Sequence, residues 1–111
     1  MKISYISVFV TCPSASEARA IARSLINKRL VACANILSGV DSIFRWNGKI
    51  DRSAEALMIC KTEAGNFKAV EKEVKRVHSY EVPEVIAMPI AAGSDSYLGW
   101  ISASVKGARK K

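Results

Sequence analysis

The chain has 111 residues, half of them hydrophobic and 24% charged, which is typical of a folded globular protein and excludes an extensively disordered one. This length fits one domain with a modest core, so burial against another subunit would add stability. No stretch approaches the roughly 18 apolar residues of a membrane span, and the first residues lack the apolar core of a signal peptide. We therefore expect a soluble, cytoplasmic protein with no membrane partner.

The net charge is +7, but its distribution weakens a nucleic-acid interpretation. Four of the positive charges lie in residues 106–111, and the rest of the chain carries only +3. We therefore predict one domain over residues 1–105, a basic and frayed tail over 106–111, and no nucleic-acid partner.

The N-terminal part predicts a strand followed by a helix. Residues 3–11 are rich in β-branched and aromatic side chains, which is typical of a buried strand. Ser14 and Glu17 have the spacing of a capping box, in which the hydroxyl and the carboxylate satisfy free amides at a helix start. Apolar residues then recur at helical spacing, so we expect an amphipathic helix over 15–28.

The middle of the chain predicts an unusually long β-hairpin. Asn47-Gly48 joins two apolar-patterned runs, 33–46 and 49–62, and both turn residues tolerate positive φ. Fourteen residues extend about 46 Å at ~3.3 Å per residue, which overshoots a compact domain of this size. The tip over 42–51 should therefore project, and a partner subunit is the simplest cover for its apolar side chains. These are Ile43, Phe44, Trp46 and Ile50.

The last third predicts a helix, a short strand and a terminal helix. Apolar spacing indicates a helix over 65–77, and residues 84–90 form an apolar run whose Pro89 favours an edge position or a bulge. Ser94 is a candidate cap for the last helix. The order β-α-β-β-α-β predicts an α+β, ferredoxin-like sandwich with a long hairpin and a short C-terminal helix.

Common functions of this topology find little support in the residues. RNA-recognition domains stack bases on aromatic side chains of the central strands, and the run 56–60 has none. No glycine-rich phosphate loop follows the first strand. The sequence offers no nucleophile and base at short range, so we expect a non-enzymatic protein.

The polar residues that stand out are concentrated in the segment 78–84. His78 is the single histidine. It could have a functional role, as a metal ligand or a general base, or a structural role as a hydrogen-bonding residue. Glu84 is more readily explained as a paired carboxylate than as a catalytic one. The other candidates are Lys49 and Lys61, as solvated or salt-bridged charges, and Trp46 and Trp100, as packing or interface anchors.

Several separated motifs resemble those of the CutA divalent-cation-tolerance family. They are Leu30-Val31-Ala32-Cys33-Ala34-Asn35-Ile36, Ser42-Ile43-Phe44-Arg45-Trp46-Asn47-Gly48-Lys49-Ile50, Glu55, Lys61-Thr62, His78-Ser79-Tyr80-Glu81-Val82-Pro83-Glu84 and Tyr97-Leu98-Gly99-Trp100. The resemblance runs from about residue 6 to 104. It implies a cytoplasmic homotrimer, similar in architecture to PII signalling proteins, that acts in tolerance of copper and other divalent cations, with metal binding and no established catalysis.

The family's metal positions are only partly present. Where some members carry a cysteine and a pair of histidines, this chain has Val10 and Val77-His78, and Ser79 replaces the usual proline. The chain's cysteines, Cys12, Cys33 and Cys60, contain no Cys-x-x-Cys pair, which makes a disulfide framework or a structural zinc site improbable. Topology places Cys12 at the same sheet edge as His78, so we predict a soft copper site formed by this pair.

An alternative function is a PII-like sensor of small ligands. In that hypothesis, clefts between subunits hold an anionic metabolite with Lys49, Lys61, Tyr80 and Glu84, and Trp46, Tyr97 and Trp100 contribute to the same clefts or interfaces. A hydrolase and a nucleic-acid binder that uses the basic tail are weaker alternatives.

Overall fold

The computed structural model describes residues 4–106, which form an antiparallel sheet with two helices on one face. In chain order the elements are β1 (Tyr5–Cys12), α1 (Ala15–Asn27), β2 (Cys33–Trp46), β3 (Lys49–Glu63), a 3₁₀ turn (Ala64–Asn66), α2 (Phe67–Val77), β4 (Ile86–Pro89) and α3 (Asp95–Ser104). The strands lie side by side as β2-β3-β1-β4. The predicted α+β class and ferredoxin-like topology are confirmed.

The core lies between the sheet and helices α1 and α2. Alternate residues of β1 and β3 point toward the helices and are buried, as the two-residue period of a strand requires. α1 and α2 contribute their apolar sides to the same cluster. The fully buried members include Val8, Val10, Leu25, Met58, Val70 and Val74. Burial of each such side chain stabilises the fold by about 1.5–3 kcal/mol.

The opposite face of the sheet, called the open face below, carries the odd-numbered residues of β1 and β3 and their neighbours on β2 and β4. α3 covers one end of it, where the Tyr5 hydroxyl lies 2.7 Å from the Ser102 hydroxyl. Among residues 4–106, much of the remaining open face stays exposed: Leu37 and Met88 are 48% and 49% exposed. The open face therefore presents apolar side chains that the described residues do not cover.

The β2–β3 hairpin has the predicted length and turn. Asn47 and Gly48 adopt φ of 52° and 76°, and the longest dimension of the molecule is 46 Å. A bulge interrupts the ladder, because Leu37 pairs with Leu57 but Val40 already pairs with Glu55. The extra β2 residue shifts its side-chain alternation by one. Phe44 and Trp46 consequently point to the same side of the β2–β3 ladder as the side chains of the open face.

Several predicted boundaries shift by a few residues. α1 ends at Asn27, one residue early, and α2 begins only after the 3₁₀ turn, at Phe67. The predicted strand 84–90 shrinks to Ile86–Pro89. It lies at the edge of the sheet, which confirms the expectation for Pro89.

The predicted tail is only partly described. The Lys106 amide, at the start of that segment, donates to the Arg29 carbonyl at 2.9 Å. The frayed tail itself stays a prediction. Residues 107–111, and residue 3 at the start of the predicted first strand, lie outside the described residues. Within 4–106, no helix combines the length and apolar character needed to cross a membrane.

Candidate functional site

His78 lies where α2 ends, beside the end of β1. Its amide caps the helix by donating to the Val74 carbonyl at 2.8 Å, and its side chain is fully buried. Nε2 lies 2.8 Å from the Thr11 carbonyl oxygen, and Nδ1 accepts from the Tyr80 amide at 3.0 Å. Because a carbonyl only accepts and an amide only donates, these partners assign the neutral tautomer with the proton on Nε2. Both ring nitrogens are therefore used within the fold.

Glu17, on α1, forms hydrogen bonds with the segment that follows His78. Ser14 caps α1 as predicted, by accepting from the Glu17 amide at 3.1 Å. The second half of the predicted capping box is wrong: the Glu17 carboxylate accepts instead from the Ser79 amide and hydroxyl, each at 2.9 Å. The same oxygen lies 3.5 Å from His78 Nδ1. Sequence spacing alone identified the local partner and missed this long-range one.

Cys12 reaches the same edge of the sheet as His78, as the topology predicted. Its neighbour Thr11 supplies the carbonyl that His78 binds. The Cys12 side chain is buried, and burial, followed by the nearby Glu17 and Glu55 carboxylates, raises the pKa of its thiol to about 11. A metal needs the thiolate, and this environment disfavours it.

The donor set of this edge does not fit a preformed metal site. His78 offers no free lone pair, and Cys12 is held as a thiol. Across residues 4–106, no three His, Cys, Asp or Glu side chains are grouped so that they could hold a metal ion. The Cys12–His78 copper site stays a prediction, and the hydrogen bonds of His78 and the burial of Cys12 weigh against it.

A groove of about 820 Å³ runs between the hairpin and the segment 80–84. The Tyr80 hydroxyl donates to Glu55 at 2.6 Å, and burial together with this bond raises the pKa of Tyr80 to about 12. The Thr11 hydroxyl donates to Glu84 at 3.3 Å. Phe44 and Trp46 are among the other lining residues. The groove thus combines aromatic surface with carboxylates that already accept hydrogen bonds.

Carboxylates outnumber cations in this groove. The cations are Arg45 and Arg52, and Arg52 is engaged by Asp41 through bonds of 2.8 and 3.0 Å. The carboxylates are Asp51, Glu55, Glu81 and Glu84. Because unlike charges attract, this balance favours a neutral or cationic ligand over an anionic one.

The predicted cleft residues fall into separate places within one chain. Trp46, Tyr80 and Glu84 line the groove, and Lys49 follows the hairpin turn opposite Trp46. The other three lie near the start of β2. Lys61 binds Asn35, the Tyr97 hydroxyl lies 3.5 Å from the Cys33 sulfur, and the rings of Tyr97 and Trp100 pack 5.4 Å apart. Glu55, which the predicted set omitted, is the groove residue bonded to Tyr80.

A comparison with known protein families finds a match over residues 6–104 to the model described as CutA1 divalent ion tolerance protein. The chain belongs to the CutA1 family. The sequence resemblance described above is thereby confirmed, and the match includes the groove residues and His78.

Individual CutA1 relatives agree in sequence and in structure. The chain is 44% identical to mouse Protein CutA over 95 residues, and to the divalent-cation tolerance protein CutA of Thermus thermophilus over 94. These alignments cover 86% and 85% of this chain, and 54% and 91% of the relatives. The chain thus spans about half the length of the mouse relative. The solved CutA1 structure from Oryza sativa superimposes with a TM-score of 0.92 at 40% identity, over 96% of this chain and 97% of that chain.

Proposed function

We propose that this protein acts in divalent-cation tolerance as a non-enzymatic, cytoplasmic homotrimer. Membership of the CutA1 family supports the cation-tolerance role. The described cysteines are all free thiols, which supports a reducing compartment. The non-enzymatic part of the proposal comes from the sequence, and within the described residues both ring nitrogens of His78 already bond to backbone groups.

The observation that supports assembly is a set of apolar side chains, called the strip below, on the open face and on the same side of the hairpin; the pairs Val40–Glu55 and Ser42–Ser53 separate its two parts. Phe9 pairs with Ile59 and Ile86 across three strands, and Leu37 pairs with Leu57. The bulge in β2 brings Phe44 and Trp46 onto the same face of the ladder. The strip consists of Phe9, Leu37, Phe44, Trp46, Leu57, Ile59, Ile86 and Met88. Leu37, Trp46 and Met88 are each about half exposed, and clusters of exposed apolar side chains mark protein–protein contact.

A second copy of this chain is the proposed cover for the strip. The hairpin projects far enough to lie along a neighbour, and each copy would both offer and receive an apolar surface. The number of subunits, three, comes from the resemblance to the CutA family. The basic residues of α1 and α2 lie on the other side of the sheet and stay outside this contact.

Native mass spectrometry tests the assembly. The wild type should give a trimer, and Trp46→Ser should shift it toward monomer at micromolar concentration, because Trp46 is a half-exposed aromatic residue within the strip. Ile26→Ser is the matched control, since Ile26 is an exposed apolar residue on α1, outside the strip. A wild type that remains monomeric at 100-fold higher concentration would contradict the proposal.

The proposed cation role includes metal binding by Cys12 and His78. What supports it is that the two residues lie at the same edge of the sheet. Binding requires His78 to release a backbone partner and Cys12 to lose a proton from a thiol with a pKa of about 11. We therefore expect weak copper affinity that strengthens as pH rises. Titration of wild type, Cys12→Ser and His78→Ala with Cu²⁺ tests this, and equal affinity in all three would remove the site.

A small-ligand sensor is the second candidate, and the groove of about 820 Å³ favours it. Its excess of carboxylates weighs against the predicted anionic metabolite and favours a neutral or cationic one. Thermal-shift measurements separate the two functions. Stabilisation by Cu²⁺ alone supports the cation role, and stabilisation by an organic amine, lost in Glu84→Gln, supports the sensor.

A further inference from the structure

Positive charge is strongly segregated in this fold. α1 with the turn after it (15–30) and α2 (67–77) carry eight Lys or Arg against three Glu, a net charge of +5. The remaining described residues carry five Lys or Arg against seven Asp or Glu, a net charge of −2. The excess cationic charge of the described chain therefore belongs to its helical layer, and not to the sheet or the hairpin.

The outer surface of the two helices, called the helical face below, displays these cations at regular spacing. Arg19 and Arg23 are one turn apart on α1, about 6 Å at 1.5 Å per residue, and both are exposed. Lys68, Lys72 and Lys75 form a similar row on α2 and are also exposed. β1 and β3 are antiparallel and each is followed by one helix, so the two rows run antiparallel across the face.

The acidic residues of the helical face are engaged within the fold. Glu73 is buried and accepts from Arg76 at 2.7 Å, from Lys28 at 2.9 Å and from Ser24. Glu71 lies 3.1 Å from Lys75 and 3.6 Å from Lys68. Arg19, Arg23 and Lys72 have no ion-pair partner among the described residues. Their charges are free to meet an anionic partner.

We infer that the helical face binds the phosphodiester backbone of nucleic acid without sequence preference. Rows of Arg and Lys about one helical turn apart suit a polyanion with regularly spaced phosphates. The expectation of no nucleic-acid partner rested on the tail and on the absence of stacking aromatics. Binding of the phosphodiester backbone by the helical face requires neither the basic tail nor stacking aromatic side chains.

An anionic membrane is the less favoured partner for this face. Helices that lie on a membrane bury an apolar side in the headgroup region, and proteins held by charge alone need a dense basic cluster. α1 and α2 turn their apolar sides into the core, and Ile26 is their single exposed large apolar residue. The face therefore lacks an insertion surface and offers charge alone.

The helical face stays accessible when the open face is covered, because the two lie on opposite sides of the sheet. An assembly through the open face would display one helical face per subunit and strengthen binding to a long polyanion by multivalency. The inference itself depends only on the charges of a single chain. It therefore survives even if the proposed trimer fails.

Fluorescence anisotropy with a labelled 30-bp duplex of random sequence tests the inference. The wild type should bind at 50 mM salt, and the logarithm of its binding constant should fall linearly as the logarithm of the salt concentration rises. Arg19→Gln/Arg23→Gln should raise Kd by about tenfold and reduce the salt slope by up to about 2, because each lost phosphate contact removes about 0.9. Lys110→Gln/Lys111→Gln, in the predicted tail, removes the same charge and should bind like wild type.

Four outcomes would overturn the inference. The first is that wild type does not bind the duplex at 50 mM salt, and the second is that both double variants weaken binding equally, which would indicate an effect of bulk charge. The third is that only Arg109→Gln/Lys110→Gln/Lys111→Gln loses binding, which would place the contact on the tail. The fourth is that the protein binds phosphatidylserine vesicles but not the duplex. Native mass spectrometry of the same variants reports assembly separately. Failure of this inference and failure of the trimer are thus distinguishable.

Discussion

Replacement of His78 by alanine separates a structural histidine from a metal ligand. The substitution leaves the Thr11 carbonyl and the Tyr80 amide without their partner, and it opens a gap where a fully buried ring stood. A buried polar group that loses its hydrogen bond costs about 1–3 kcal/mol. Both bonds are only partly buried and water recovers some of this, so we expect His78→Ala to lower the free energy of unfolding by about 3 kcal/mol in metal-free buffer.

Chemical denaturation at fixed protein concentration measures this loss, with Ser79→Ala as the matched control. Ser79 keeps its amide bond to Glu17 and loses one exposed hydroxyl contact, so its effect should stay below about 1 kcal/mol. Hydrogen exchange offers a local readout, since the Tyr80 amide should lose protection in His78→Ala. If the variant is as stable as wild type while its copper affinity falls tenfold or more, His78 is a ligand and the structural role is refuted.

Three further predictions concern stability and reactivity. The Arg76 guanidinium, the Ser24 hydroxyl and the Lys28 ammonium hold the pKa of Glu73 well below its usual range; the stability it contributes is present above about pH 4.3 and lost below it. The stability gap between wild type and Glu73→Gln should therefore shrink between pH 6 and pH 3 in urea titrations, and a constant gap would contradict this. Thiol labelling should modify one part-exposed cysteine, Cys33, well before the two buried ones, whose pKa values burial raises to about 11 and about 12; equal rates would contradict that order. Gly48→Ala, at φ 76°, should cost about 1 kcal/mol by thermal denaturation, and a more stable variant would show that this turn imposes no strain.

The elements of the fold were predictable because their signals are local. Asn47-Gly48 predicted the hairpin turn, and Ser14 predicted the start of α1. The spacing of apolar residues, every second residue in strands and every third or fourth in helices, predicted the type of each element. The boundaries that moved are those decided by tertiary contacts. β4, for example, extends only as far as β1 offers a pairing partner, from Ile86 to Pro89.

For the candidate site, the sequence predicted which residues lie close together but not which atoms they contact. Topology correctly placed Cys12 near His78, but the sequence could not reveal that backbone groups occupy both nitrogens of the ring. The Glu55–Tyr80 bond joins residues 25 positions apart on different segments, and no spacing rule anticipates it. The charge segregation follows from helical spacing together with the sandwich topology, which places the cationic sides of α1 and α2 on one outer surface.

The β2 bulge has a consequence for how this protein can vary over evolution. One extra residue between Leu37 and Val40 decides which side of the hairpin carries Phe44 and Trp46. A single-residue deletion there, for example of exposed Gly39, would reverse the two sides of the β2 arm without changing any other amino acid. A two-residue change would restore them. Homologous sequences should therefore accept substitutions along this arm more readily than odd-numbered insertions or deletions, because chain length here encodes which surface meets a partner.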